Sequence, residues 1–208
     1  MNNKIIIAID AMGGENAPKK NIEGIAIFLK KNKNKKDFFF NLYGDEALIL
    51  NELNKYKISN YFYKIFHSTT TVSDEETPLT AIKNSKDSSM WNAVNSQTEL
   101  NSNITLSAGN TGVLFVVSRM LLKTIESVSK PALAGLWPNK KNMNVVLDLG
   151  ANVECDDKNL VDFAEMGAAL YKALFPEDTA KVALLNIGSE EIKGTENLKK
   201  AYTKLKEI

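Results

Sequence analysis

The chain has 208 residues, 44% of them hydrophobic and 25% charged, and these values are typical of a globular protein with a sizeable packed core. Its formal net charge of +1 excludes an overall electrostatic attraction to nucleic acid or to acidic lipid. The single cysteine, Cys155, excludes an internal disulfide and a thiolate metal cluster. The composition therefore predicts a cytoplasmic protein with no metal, no cofactor and no nucleic-acid partner.

Two further features narrow the kind of site and the location. Arg119 is the only arginine, so a site for an anion must rely on backbone N–H groups and lysine. The amino terminus has an apolar run too short for a signal peptide. The longest apolar run, residues 113–117, is far below the roughly 20 residues of a membrane-spanning helix. Attachment to a membrane surface stays open.

Six short runs rich in Ile, Val, Leu or aromatic residues predict strands. In chain order they are residues 4–10, 38–44, 61–66, 103–107, 144–148 and 182–186. The aliphatic runs are continuous rather than alternating, as expected for parallel strands covered by helices on both faces. Buried helical segments of the same length would look alike, and the glycines that follow the runs favour strands.

Helical patterns lie between these runs, over residues 18–31, 44–56, 77–98 and 160–174, with Pro176 as a stop signal and a last helix from residue 196. The third pattern contains a polar break, SKDSSM. Residues 30–37, KKNKNKKD, are expected to form a solvated loop. The alternation of strand and helix predicts an α/β protein with right-handed crossovers, organised as a single domain over residues 1–208.

Four of the predicted strands end in glycine and polar residues. In open α/β sheets ligands bind outside the carboxyl ends of the strands, so these residues are expected on one rim. They are Asp10, Gly13 and Gly14; Ser107, Gly109, Asn110, Thr111 and Gly112; Asp148, Gly150 and Asn152; and Asn186, Gly188, Glu190 and Lys193.

The segment SAGNTG, residues 107–112, predicts an anion-binding turn. If a helix begins at Thr111 or Gly112, the unpaired N–H groups and the positive end of the helix dipole face the rim. The segment has neither the Walker A pattern nor the G-x-G-x-x-G spacing of dinucleotide-binding folds. The alternative is a tight strand-to-helix turn with a capping residue.

Three other side chains are candidates for chemistry. Lys193, with Glu190 to orient it, suits the stabilisation of a phosphate or an oxyanion, and the alternative is a solvent-facing ion pair. His67, the only histidine, follows a strand and suits acid or base catalysis, while packing or capping is the alternative. Cys155 is expected to be an inert thiol, because no second histidine is present to activate it.

Taken together, seven segments resemble one family, the PlsX phosphate acyltransferases of bacterial phospholipid synthesis. In order along the chain they are IAIDAMGGENAP, KDSSM, SAGNTG, KPALAGLWP, LDLGAN, FAEMG and LLNIGSEEIKG. The resemblance implies a three-layer α/β/α fold with a mostly parallel sheet, related to phosphotransacetylases and isopropylmalate dehydrogenase, in a homodimer. It also implies transfer of a fatty acyl group from acyl carrier protein to inorganic phosphate, giving an acyl phosphate.

The resemblance also assigns site residues by position. The four rim loops fall on the family's motif loops, and Ser88 and Ser89 of KDSSM join them. Within this site we expect residues 109–112 to cradle phosphate, and Lys193, Asn152 and the Asn110 amide to stabilise charge. His67 and Ser89 are the candidates for steering the leaving thiol.

The sequence departs from the family's pattern at Glu15, Lys130 and Val113, and family members continue with further strands and helices beyond the position of Ile208. We therefore expect the chain to correspond to the N-terminal portion of the family fold, with the C-terminal part absent. Two alternatives remain open. One is a phosphotransacetylase-like enzyme that uses acyl coenzyme A, and the other is a folded, inactive module that binds phosphate or carrier protein.

Overall fold

The computed structural model describes residues 4–33, 37–73, 77, 80, 85–140, 142–188, 190 and 193–208. The chain forms two compact units, Met1–Lys123 and Thr124–Ile208. The single domain over residues 1–208 stays a prediction.

The first unit is built on a four-stranded parallel sheet. Its strands are β1 (Ile5–Asp10), β2 (Phe38–Gly44), β3 (Tyr63–His67) and β4 (Ile104–Leu106), in the order β3-β2-β1-β4. The sequence predicted all four, and the structure confirms them. β1 lies between β2 and β4, and all four strands are parallel. The loops that leave β1 and β4 are therefore neighbours at the carboxyl end of the sheet.

Helices cover both faces of this sheet, as the continuous apolar runs predicted. The helices are α1 (Lys19–Lys31), α2 (Glu46–Lys55), α3 (Ser89–Thr98) and α4 (Thr111–Leu122), with a short 3-10 helix at Asn60–Phe62. On one face Ile9 and Leu42 pack against Ile22 of α1 and Ile49 of α2. On the other face Ala8 and Tyr43 pack against Ala93 of α3.

A second apolar cluster joins α3 to α4. It consists of Met90, Val94, Val113 and Val117, each at most 1% exposed. These residues recur at the three- or four-residue spacing that brings side chains onto one face of a helix. The cluster therefore places the start of α4 beside the start of α3.

Of the predicted helix over residues 77–98, the structure describes helical conformation at Thr80 and the helix α3. Helix α3 begins at Ser89, because the Ser88 side chain accepts a hydrogen bond from the N–H of Trp91 (3.2 Å) and caps the helix. The polar break SKDSSM is thus the start of the helix. Residues 74–76, 78–79 and 81–84 lie outside the described residues, as do residues 34–36 of the predicted lysine-rich loop.

The second unit contains an antiparallel hairpin and two helices. Strands β5 (Gly135–Pro138) and β6 (Met143–Val146) pair with each other, and the helices are α5 (Asp157–Leu174) and α6 (Glu196–Leu205). The sequence predicted a strand at β6 and both helices, but it expected a strand of the parallel sheet and missed β5, with which β6 pairs antiparallel. A capping box formed by Asp156 and Asn159 begins α5.

The predicted strand over residues 182–186 is wrong. This segment has no strand or helix assignment. Leu185 within it is 94% exposed, and Ile187, which directly follows the segment, is 86% exposed. A strand forms only when a neighbour supplies the other half of its hydrogen-bond ladder, and within the described residues of the second unit no strand pairs with this segment. Apolar character alone was therefore insufficient to predict its conformation.

Candidate functional site

Asp10 is the last residue of β1 and is only 1% exposed. Leu106, the last residue of β4, pairs with Ile9, so the register brings the next residues, Asp10 and Ser107, side by side. The Ser107 hydroxyl donates a 2.7 Å hydrogen bond to Oδ2 of Asp10. Two of the rim loops that the sequence predicted are thereby joined at their first residues.

Ser107 also accepts a hydrogen bond, from the backbone N–H of Gly109 (3.1 Å). A hydroxyl can donate one hydrogen and accept at the same time, so Ser107 bridges Gly109 and Asp10. The Gly109 N–H is thus used inside the loop, whereas the sequence analysis expected it to face a ligand. Asp10, Ser107 and Gly109 form a short chain of hydrogen bonds that holds the SAGNTG turn in place.

The loop after β1 packs directly on this turn. A Cβ atom at Gly13 would lie 2.9 Å from the backbone nitrogen of Gly109 and 2.9 Å from the Ser107 hydroxyl, closer than side-chain carbon is found in proteins. Gly14 has a φ of +89°, and a Cβ there would lie 2.7 Å from the carbonyl oxygen of Ala108. Glycine at both positions lets the two loops touch.

Asn21 in helix α1 supports the first loop from behind. Its side-chain amide donates to the carbonyl oxygens of Ala11 (2.9 Å) and Gly13 (3.0 Å). Asn21 was not among the predicted site residues, because a polar residue within an amphipathic helix has no signature of its own. It is a supporting residue, since it holds the backbone that approaches Gly109.

Helix α4 begins at Thr111, as predicted. The Oδ1 atom of Asn110 accepts from the N–H of Val113 (3.1 Å), so Asn110 is the N-cap residue. The N–H groups of Thr111 and Gly112 belong to the first turn, where the helix itself offers no acceptor, and they carry the positive end of its dipole. Thr111 is exposed and Gly112 half-buried, so these amides are the donors that this turn presents at the surface.

The start of α3 forms the third side of the cluster around Asp10. Ser88 and Ser89 are 0% and 1% exposed, and the N–H of Ser89 donates to the carbonyl oxygen of Thr70 (3.0 Å). Burial raises the pKa of Asp10 above its usual range, while the neighbouring Ser89 and Ser107 hydroxyls and the N–H groups of Met12 and Gly13 favour the charged form. The structure thus brings together Asp10, Gly13, Gly14, Ser88, Ser89 and Ser107 with the turn that begins α4.

His67 lies elsewhere in the first unit. It ends the edge strand β3, which is separated from β1 by β2. Its Nδ1 atom accepts a hydrogen bond from the N–H of Glu46 in the first turn of α2 (3.2 Å). This contact is the capping role that the sequence left open, and a role of His67 in proton transfer stays a prediction.

In the second unit, Asn152 and Asp148 form a compact network. Oδ1 of Asp148 accepts from the N–H of Leu133 (2.8 Å), and Oδ2 accepts from the N–H and the side-chain amide of Asn152 (2.8 and 2.9 Å). The same side-chain amide donates to the carbonyl oxygen of Pro131 (2.9 Å). The network joins the segments KPALAGLWP and LDLGAN, and the predicted role of Asn152 in stabilising charge stays a prediction.

The ionisation of Asp148 reflects these contacts. Burial opposes the charged form, but hydrogen bonds from the N–H of Leu133 and from the side chain and backbone of Asn152 outweigh it. The pKa of Asp148 is therefore held below its usual range.

Lys193 and Asn186 lie beside each other in the second unit. The Asn186 side-chain amide donates to the carbonyl oxygen of Lys193 (3.3 Å), and the N–H of Lys193 donates to the carbonyl oxygen of Glu190 (2.9 Å). The described side chains of Glu190 and Lys193 make no ion pair with each other. Lys193 and Asn186 line an open groove of about 830 Å³ with Leu185, Ile187 and Leu198.

Within the described ranges the chain shows neither a metal-binding cluster nor a membrane-spanning helix. No group of three or more His, Cys, Asp or Glu residues there is arranged to hold a metal ion. No helix in that part of the chain combines the length and the apolar character needed to cross a bilayer.

The sequence was compared with known protein families and with characterised relatives. Residues 5–208 match the model of a family described as "Fatty acid synthesis protein". The chain belongs to this family. The phosphate acyltransferase of Pelagibacter ubique is 53% identical over 205 residues, which are 99% of this chain and 60% of that protein. Those of Wolbachia pipientis and Caulobacter vibrioides are 40% and 38% identical and are covered over 60% and 57% of their length. The chain thus spans about 60% of the length of these relatives.

A solved structure shows the same fold in this fatty acid synthesis family member and in an enzyme of distant sequence. The EutD phosphotransacetylase from Staphylococcus aureus matches 99% of this chain and 66% of its own with a TM-score of 0.63 at 12% sequence identity. At that identity the likeness establishes the fold alone. The predicted fold class, an α/β fold of the phosphotransacetylase type, is confirmed.

Proposed function

We propose that this chain carries the phosphate-binding loops of an acyltransferase that moves a fatty acyl group from acyl carrier protein to inorganic phosphate. The observation that supports it most directly is the hydrogen-bond chain from Gly109 through Ser107 to Asp10, which holds the SAGNTG turn against the loop of Gly13. The relatives are named phosphate acyltransferases, and the chain spans about 60% of their length. The proposal therefore concerns the activity of the whole protein of this family.

Phosphate binds at the start of α4 in this proposal. The N–H groups of Thr111 and Gly112 donate to phosphate oxygens, and the helix dipole adds a favourable charge. Gly13 and Gly14 let the loop after β1 touch the SAGNTG turn, which holds the turn that carries these donors in place. Backbone donors suit a chain whose only arginine is Arg119.

The reaction needs no nucleophile from the protein. A phosphate oxygen attacks the thioester carbonyl and forms the new C–O bond, the C–S bond then breaks, and the phosphate's hydrogen accompanies the departing thiol. The protein positions the reactants and stabilises the tetrahedral oxyanion. We assign charge stabilisation to Lys193, Asn152 and the Asn110 amide, and steering of the thiol to His67 and Ser89. Loss of one such donor costs about 3–4 kcal/mol, roughly 100- to 1,000-fold in rate.

The partners follow from the family resemblance alone. They are acyl carrier protein as acyl donor, inorganic phosphate as acceptor, and a second copy of the chain in a homodimer. We propose that the product acyl phosphate serves phospholipid synthesis and that the protein acts in the cytoplasm, with peripheral association with the inner face of the membrane as part of the proposal.

The test is the release of free thiol from an acyl carrier protein thioester, measured with and without phosphate. We expect release that depends on phosphate and falls about 100-fold or more in Lys193→Ala. Lys172→Ala, an exposed lysine in the last turn of α5, is the matched control and should be unaffected. Equal use of acyl coenzyme A would favour a phosphotransacetylase-like enzyme. Binding of phosphate or carrier protein without thiol release would favour the inactive module.

A further inference from the structure

We propose that Oδ1 of Asp10 accepts the hydrogen of bound hydrogen phosphate and so makes the site select phosphate over sulfate. This inference rests on the proposed function, because it concerns the same phosphate site. It assigns to Asp10 a part in recognition that the sequence analysis did not specify.

The two carboxylate oxygens of Asp10 differ in their hydrogen bonds. Oδ2 of Asp10 accepts from the Ser107 hydroxyl (2.7 Å), but Oδ1 is buried and has no hydrogen-bond partner among the described residues. A buried polar atom without a partner is costly, and native proteins rarely leave one unsatisfied. Oδ1 therefore has an unused capacity to accept a hydrogen bond.

The neighbouring donors do not satisfy this atom. The Ser107 hydroxyl has one hydrogen, and it donates that hydrogen to Oδ2, so it has none for Oδ1. The Ser89 hydroxyl and the N–H groups of Met12 and Gly13 lie close enough to favour the charged form of Asp10, but none of them makes a hydrogen bond to Oδ1. A donor for Oδ1 must come from outside this cluster.

Phosphate and sulfate differ in the hydrogens they carry. The N–H groups of Thr111 and Gly112 only donate, so they bind phosphate and sulfate equally well. At neutral pH phosphate keeps at least one hydrogen, whereas sulfate keeps none. A carboxylate only accepts hydrogen bonds, so Asp10 is matched to the P–OH group and repels sulfate.

Access to Oδ1 is from the surface. Two residues flank the cluster: Gly14 is half-buried and Ala108 is exposed. Thr111 in the first turn of α4 is also exposed. A phosphate bound to the first turn of α4 reaches Oδ1 when the loops of Gly14 and Ala108 shift apart. This small movement of two glycine-containing loops is part of the proposal.

The test on the wild-type chain compares three anions by isothermal titration calorimetry at neutral pH. Arsenate resembles phosphate in shape and keeps a hydrogen, so both should bind with similar Kd. Sulfate should bind about 10- to 100-fold more weakly, because Oδ1 would face an acceptor. Equal binding of sulfate would overturn the role of Asp10 and leave the phosphate site standing. Failure of all three anions to bind would overturn both proposals.

A matched pair of variants adds a second measurement. In Asp10→Asn the amide oxygen still accepts from Ser107, and the amide nitrogen takes the position of Oδ1 as a donor. The ratio of the Kd for sulfate to the Kd for phosphate should then fall about tenfold or more. Asp45→Asn, which keeps the cap at the start of α2, should leave the ratio unchanged. An unchanged ratio in folded Asp10→Asn would overturn the proposal, and the wild-type series decides it if that variant does not fold.

Discussion

The hydroxyl of Ser107 donates to Oδ2 of Asp10 over 2.7 Å and joins two strand ends that are 97 residues apart in the chain. The bond is the centre of the candidate site, because the same serine oxygen holds the N–H of Gly109. The conformation of the SAGNTG turn therefore depends on a side chain from a different strand.

Ser107→Ala removes this connection. It leaves Oδ2 of Asp10 and the N–H of Gly109 without partners, so we expect a loss of about 1–3 kcal/mol in the free energy of unfolding and a weaker affinity for phosphate. Urea denaturation and calorimetric titration measure the two effects.

The control is Ser102→Ala. It breaks a buried hydroxyl pair with Ser96 (2.6 Å) that has no contact with the turn. Stability should fall while the Kd for phosphate stays constant. A drop in phosphate affinity as large as that of Ser107→Ala would show that lost stability alone explains the effect.

Asn110 allows the cap to be separated from the charge at the start of α4. Asn110→Ala removes the acceptor for the N–H of Val113 and should cost about 1 kcal/mol of stability. Asn110→Asp keeps that acceptor but places a negative charge next to the anion. We expect it to retain wild-type stability and to bind phosphate more weakly, and a variant that keeps both properties would argue against an anion at this turn.

Gly13 and Gly24 form a matched pair for the glycine loops. A methyl group at Gly13 meets the Gly109 nitrogen and the Ser107 hydroxyl at 2.9 Å, so Gly13→Ala should lose about 1–3 kcal/mol. Gly24 is exposed within α1 and has no atom within 4 Å of an added Cβ, so Gly24→Ala should gain about 0.5–1 kcal/mol. Thermal unfolding of both proteins compares them directly, and a neutral Gly13→Ala would contradict the close packing of the loops.

We predict that the contribution of Asp148 to the stability of the second unit is lost in acid. Its pKa in the folded state lies below the unfolded value of about 3.9, so its contribution to stability is complete above that pH and is lost as the pH falls through the folded pKa. Asp148→Asn should therefore be less stable than wild type at pH 6, with a difference that shrinks by pH 3.

The measurement uses the fluorescence of Trp137 in a Trp91→Phe background, because Trp137 lies in the second unit and Trp91 in the first. The exposed Glu177→Gln serves as the control and should show no such convergence. A difference between Asp148→Asn and wild type that stays constant from pH 6 to pH 3 would contradict the assignment.

The sequence allowed the parallel sheet of the first unit to be predicted, together with the strand ends at Asp10 and Ser107, which are two of the four that it placed on one rim. The strands of the first unit are continuous apolar runs followed by Gly, Asn or Asp, and the cap at Asn110 follows from the residue types in SAGNTG. The order of the strands has no such local signal. The contact between Asp10 and Ser107 arises because β4 pairs with β1, and that pairing is a property of the folded chain.

The failures have different physical causes. Strand β5 ends at Pro138, and proline within a short run argues against a strand when its partner is unknown. Residues 182–186 have the composition of a strand, but composition does not supply a partner. The N–H of Gly109 was assigned to a ligand because sequence alone does not reveal that Ser107 turns back to accept it.

The separation of 97 residues between Asp10 and Ser107 also matters during synthesis. At roughly 5–20 residues per second, the ribosome takes roughly 5 to 20 seconds to add the second residue after the first. During that interval β1 can pair with β2, but its opposite edge has no partner and offers unpaired backbone groups to any extended chain nearby. The nascent protein is therefore open to misassembly at this edge until β4 arrives and completes the candidate site.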